Sequence, residues 1–280
     1  MKMRVIPSLI LGSIAMLSVS SASAATVTSA TPEMLAEALL GSNSNISVVP
    51  GSIEFIGTST QSGIYTGFGS MPNGILMTTG DALDHGPALL DYDSAHVMTN
   101  TGSNATLSLI AGGPTNDQNV LTFSFTVNDS SLDAISTSFV LASNEYPDWL
   151  GSEFRDVFAF FVDGVNYATF PDGSRVIATE TDAYMSGYDV GYNGKTLPIS
   201  LIGLLDPELT VHTLTIAIAD VGDRVFDSGV FIASLSSFDC ADCTSGVINI
   251  PTIPEPETWA MLLAGLGIVG VTAKRRRRQK

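Results

Sequence analysis

The sequence predicts a mainly β protein, an antiparallel two-sheet sandwich or jelly roll with one short N-terminal helix and a C-terminal hydrophobic helix. Three observations lead there. Leu121, Phe123, Phe125 and Val127 alternate strictly with Thr122, Ser124 and Thr126, the period of a half-buried strand. Leu214, Ile216 and Ile218 repeat the pattern against Thr215 and Ala217. Asp163-Gly164, a two-residue hairpin signal, separates the apolar runs Val157–Val162 and Val165–Phe170. Strands with one apolar face, joined by Gly, Asn and Asp turns, bury that face by stacking two sheets.

The elements follow in order. Residues 1–24 form a leader: Lys2 and Arg4, an apolar stretch Val5–Val19, then Ala22-Ser23-Ala24. This is the pattern of a secretory signal peptide cleaved after Ala24. The domain predicted from residue 25 to 253 opens with a helix. Thr31 can cap it, Pro32 takes its first position and Gly41 ends it, with Met34, Leu35, Ala38 and Leu39 on one face. Turns are expected at Asn73-Gly74 and Asn193-Gly194. Asp172-Gly173 turns the hairpin towards Arg175–Thr179, predicting a three-strand meander. His212 starts a strand, where a satisfied structural role is expected.

Residues 254–280 have three parts in fixed order. Pro254-Glu255-Pro256 holds the approach extended and stops helix from spreading upstream. An uncharged run of 15 residues, Trp259–Ala273, can enter a bilayer but falls short of the roughly 20 of a comfortable span. Lys274 to Lys280 carries six basic residues, which stay cytoplasmic under the positive-inside bias. The tail closely resembles the PEP-CTERM sorting signal of Gram-negative bacteria. That resemblance implies an exosortase-type membrane protease as partner, cutting near Pro254-Glu255-Pro256. It further implies transient anchoring in the inner membrane and delivery to the cell surface or extracellular matrix.

Charge narrows the partners. The formal net charge is −16, from 12 Lys and Arg against 28 Asp and Glu. Two of the basic residues lie in the leader and six in the tail, leaving Arg155, Arg175, Lys195 and Arg224 against 26 acidic residues, a net near −22. Such a surface disfavours nucleic acid and anionic lipid, and suits divalent cations or simple solubility.

Three segments carry a second resemblance. The first is Asn73-Gly74-Ile75-Leu76-Met77-Thr78-Thr79-Gly80. Next comes Phe139 to Trp149, through Asn144-Glu145-Tyr146-Pro147-Asp148, continued by Phe154 to Gly164. Ile218-Ala219-Asp220-Val221-Gly222-Asp223, with Asp227 to Ile232, completes the set. From about Met34 to Phe238 the chain is similar to the choice-of-anchor L domain of bacterial surface proteins. That implies an exposed, anchored module more than a chemistry. Family examples often have an acidic residue where this chain has Asn144, and an Asn near Arg155.

Catalytic signatures are sparse. There is no GxSxG elbow, HExxH pair or phosphate-binding loop, and Gly265–Gly270 matches GxGxxG only inside the apolar tail. Asp189–Gly194 opens like a calcium loop, but position twelve is Ser200, so it reads as a turn. The acidic loops offer more. Glu145, Asp156, Asp220, Asp223 and Asp227 would supply the oxygen ligands of one structural Ca²⁺ if the sheets bring their loops together. They also read as strand caps and solvated turns of a very acidic protein. The same carboxylates could serve as a glycosidase pair, with Tyr146 and Trp149 stacking on sugar, or Trp149 could sit in the sheet edge. Cys240 and Cys243 cannot supply a zinc site alone, and in an exported chain are expected to form a local disulfide. The sequence thus predicts an exported, non-catalytic surface or matrix protein with a structural or adhesive role, stabilised by Ca²⁺ or by none. Carbohydrate binding, with extracellular polysaccharide as partner, is the alternative, and hydrolysis of that polysaccharide the third reading.

Overall fold

A computed structural model describes residues 26–41, 44–83, 98–180, 185–186, 191–240 and 243. The leader, residues 254–280 with the expected C-terminal hydrophobic helix, and Pro254, Glu255 and Pro256 lie outside the described residues. Among the described residues no helix is long and apolar enough to cross a membrane.

In chain order, β1 (Thr26–Ser29) leads into helix α1 (Pro32–Leu39), followed by β2 (Ile46–Val48), β3 (Glu54–Ile56), β4 (Ser62–Phe68) and β5 (Met71–Thr78). Helix α2 (Ala105–Ala111) precedes β6 (Thr115–Val127), β7 (Ala134–Ser143), β8 (Val157–Val162), β9 (Val165–Asn166) and β10 (Met185–Ser186). Then come β11 (Gly194–Thr196), β12 (Ile199–Leu204), β13 (His212–Val221), β14 (Ser228–Ala233) and β15 (Ser236–Phe238). Two antiparallel sheets result. The larger runs β1-β4-β5-β14-β7-β11-β10, with β12 and β15 also on β7; the smaller runs β2-β6-β13-β8-β9, with β3 also on β6.

Alternation builds the core between them. Leu121, Phe123 and Phe125 of β6, Phe158 and Phe160 of β8, and Leu214, Ile216 and Ile218 of β13 meet Ile75 and Met77 of β5, Phe139 and Leu141 of β7, and Val230 and Ile232 of β14. Each such side chain contributes about 1.5–3 kcal/mol by leaving water. Helix α1 adds Leu35 and Leu39 to the same core.

Several local expectations are corrected. A second helix, α2, covers the outer face of the smaller sheet, packing Leu107 and Ala111 on Val157, Ala159, Ala217 and Ala219. Its ends were marked: the Asn104 side chain accepts from Thr106 and Leu107 N–H, and Gly112 closes it at φ 71°. Helix α1 ends where expected, with Leu40 as C-cap directly before Gly41, but it buries Ala36 while Met34 is exposed. Asn73-Gly74 is no turn but lies within β5. A Cβ on Gly74 would stand 1.9 Å from Ile232 O, so the glycine allows β14 to approach. The expected turn at Asn193-Gly194 is present as a bend leading into β11, which runs antiparallel to β10. The strand after Asp163-Gly164 stops at Asn166, whose Oδ1 accepts from Phe160 and Ala168 N–H. The chain does reverse at Asp172-Gly173, with Thr169 opposite Arg175, but beyond it the returning segment pairs with β8 itself, Val157 opposite Ile177, instead of continuing as the third strand of a meander.

Candidate functional site

The strand directions bring six termini to one end of the sandwich: the C-terminal ends of β5, β7 and β13, and the N-terminal ends of β6, β8 and β14. There the apolar core gives way to carboxylates. Val157 pairs with Ala219 and both face α2. Alternation therefore turns the adjoining Asp156 and Asp220 to the inner face, in line with Phe158 and Ile218. The same rule turns Ser143 and Ser228 inward from the larger sheet, next to Leu141 and Val230. Glu145 follows β7 in the connecting turn, where its N–H donates to Ser143 Oγ at 3.1 Å. Asp227 immediately precedes β14, and its carbonyl accepts from Asn144 N–H at 3.1 Å. Its carboxylate fills the space beside Gly80, where a Cβ would lie 1.8 Å from Oδ2.

Burial is nearly complete: Glu145 and Asp156 are 1% exposed, Asp220 and Asp227 2%. Among the described residues, both Glu145 carboxylate oxygens, Asp156 Oδ2 and Asp220 Oδ1 lack a hydrogen-bond partner. Asp156 Oδ1 accepts a long bond, 3.3 Å, from Val221 N–H. The described arginines pair elsewhere: Arg155 and Arg175 both reach Glu180, and Arg224 lies 4.0 Å from Asp117. Uncompensated carboxylates in such a place favour the neutral form. Burial, first, and then repulsion from Asp156 and Asp223 push the Glu145 carboxyl well up. The Asp156 N–H opposes that slightly, from outside hydrogen-bond geometry. Burial also raises Asp156, partly offset by the nearby Ser228 hydroxyl and Val221 N–H, with Asp227 and Asp223 adding repulsion. Asp220 is raised by burial and then by Asp156. Asp223 is less buried and is raised chiefly by desolvation, against a bond from Val225 N–H.

The structure thus brings together all five acidic residues singled out in the sequence. As the side chains stand, no three acidic, His or Cys groups among the described residues are arranged to hold a metal ion. The donors of the cluster are all carboxylate oxygens. Sequence reasoning missed Asp117, which is fully buried on β6 and accepts Asn100 and Thr99 N–H at 2.8 and 3.2 Å. It also missed the polar layer beside it, where Asn119 Nδ2 donates to Gln61 O at 2.8 Å and Thr78 O at 3.0 Å. Carrying the alternation of β6 back from Leu121 through Asn119 would have turned Asp117 inward.

The aromatic pair is not an open platform. Trp149 is half-buried, its ring set edge-on to Phe154 at 5.2 Å and tilted against Phe226 at 6.3 Å. Tyr146 lies against Gly194, where a Cβ would be 2.2 Å from its ring. Cys240 and Cys243 are joined as a disulfide. His212 donates or accepts at 2.7 Å with Asp163 Oδ2, a structural contact.

Comparison with known families decides the lineage. The choice-of-anchor L domain profile matches residues 22–239. The chain belongs to the choice-of-anchor L family. A PEP-CTERM protein-sorting motif matches residues 252–278. A comparison with curated proteins gives no match. For this choice-of-anchor L protein the motif implies export, a transient C-terminal membrane anchor and processing by exosortase. Both matched families are of surface-anchoring and sorting types, neither of them catalytic.

Proposed function

We propose that this choice-of-anchor L protein is a non-catalytic, structural or adhesive module of the cell surface or extracellular matrix, stabilised by Ca²⁺. The observation carrying the non-catalytic reading is the burial of its carboxylates. A glycosidase pair must face the sugar it cleaves, whereas Glu145 and Asp156 are closed off between the sheets. The sorting motif supports delivery to an outer layer, and the high negative charge keeps the delivered domain soluble there.

Two measurements test it together. Incubation with the producing cell's surface polysaccharide should release no new reducing ends, and loss of the protein should weaken the cohesion of the outer layer. Turnover that disappears in Glu145→Gln would replace this reading with a hydrolase. Retention on a polysaccharide column that depends on Trp149 would assign carbohydrate binding as the adhesive chemistry.

A further inference from the structure

The geometry points to a Ca²⁺ site that ties the two sheets together at their acidic end, with Glu145, Asp156 and Asp220 as its inner ligands and Asp223 and Asp227 at its rim. This rests on the Ca²⁺ stabilisation proposed above and assigns it a place. Carboxylate clustering alone would not suffice; the deciding feature is four buried carboxylate oxygens with no partner. Water does not reach them, no lysine or arginine pairs with Glu145, Asp156 or Asp220 among the described residues, and buried charge without a counterion costs several kcal/mol. A divalent cation supplies the missing countercharge, and carboxylate oxygens are the donors that calcium selects over softer metals.

The ligands come from both sheets. Asp156 immediately precedes β8 and Asp220 lies on β13, its neighbour in the smaller sheet, while Glu145 and Asp227 flank paired strands of the larger one. Backbone bonds already hold the segments that carry these side chains: Asn144 N–H on Asp227 O, Arg155 N–H on Val221 O. The same two loops carry Trp149 and Phe226, so binding also changes the surroundings of the indole. Sites of this kind in extracellular modules bind with Kd of about 0.1–1 mM.

The test uses the full chain in detergent, stripped with chelator and titrated with CaCl₂, reading bound metal by calorimetry, Trp149 emission by comparison with Trp149→Phe, and melting temperature. One Ca²⁺ per chain is expected, with Mg²⁺ binding at least tenfold more weakly. Asp156→Asn combined with Asp220→Asn should weaken binding more than tenfold and abolish the Trp149 response. Glu145→Gln should weaken it several-fold, and the exposed Asp148→Asn should leave it unchanged. Both amides are near-isosteric and remove buried charge, so the variants should fold; a native melting transition in chelator checks this. Unchanged Ca²⁺ affinity in the folded double variant overturns the site. Stabilisation by Ca²⁺ that survives in that variant overturns the site yet leaves Ca²⁺ stabilisation of the domain standing. Absence of both binding and stabilisation in the unaltered chain removes the two together.

Discussion

Asp163 shows how one residue can hold a corner of the fold. It occupies the left-handed region at φ 49° in the Asp163-Gly164 turn. Its carboxylate accepts from Thr213 N–H at 2.8 Å, from Asp206 N–H at 3.1 Å, and contacts His212 Nδ1 at 2.7 Å. Bonds to a charged group contribute about 1.5–3 kcal/mol each, less where water can substitute. Asp163→Ala should therefore cost about 2–3 kcal/mol, read as a lower urea midpoint at unchanged slope. A shift under about 0.5 kcal/mol would mean that the strand ladder alone holds this corner. Gly74 works by what it lacks. The missing Cβ leaves room for Ile232 O and the Tyr65 hydroxyl, so Gly74→Ala should cost about 3 kcal/mol or more by overpacking. Sequence reasoning took Asn73-Gly74 for a turn because the same residue pair serves both purposes. Only the neighbouring strand distinguishes them.

At the level of elements, legibility followed solvent. Strand β6 alternates because Thr122 and Ser124 look outward while Phe123 and Phe125 look in, and its assignment from sequence stands. Strand β8 reads Val-Phe-Ala-Phe-Phe-Val because helix α2 covers its outer face. A strand buried on both sides loses its period. The covering helix escaped notice for a related reason. It is 7 residues long and rich in Ser, Thr and Ala, so its stability comes from packing rather than propensity. If α2 is an integral layer, Leu107→Ala should cost about 2–4 kcal/mol, approaching the 3–5 kcal/mol expected for Phe160→Ala between the sheets. A cost for Leu107→Ala below about 1 kcal/mol, by chemical denaturation, would make the helix an appendage.

For the whole molecule, the acidic end sets the response to pH. In chelator, the Glu145, Asp156 and Asp220 carboxyls titrate above their ordinary values, chiefly through burial. A carboxyl raised on folding favours the folded state fully below the unfolded value of about 4, and that contribution is lost as pH climbs through the raised value. The cation-free protein should therefore melt at lower temperature at pH 8 than at pH 5. Asp156→Asn with Asp220→Asn should flatten that dependence. A melting temperature rising steadily from pH 5 to 8 in chelator would show that these carboxylates find compensation in solution. Sorting makes a separate prediction. Peptides from the mature surface protein should end near Pro256 and lack Arg275 to Lys280; recovering the basic tail would leave an ordinary membrane anchor in its place.

What is local or periodic was legible in the chain alone: the strands with one wet face, the capped helix α1, and the order Pro-Glu-Pro, apolar run, basic cluster that matches a sorting motif. It also held more than was drawn from it, since the alternation through Phe158 and Ile218, carried outward, turns Asp156 and Asp220 towards the core. That Glu145, Asp156, Asp220 and Asp227 share one buried end of the sandwich is a property of the folded chain alone. A period of two says which face a side chain takes, but register between strands far apart in sequence sets which carboxylates meet.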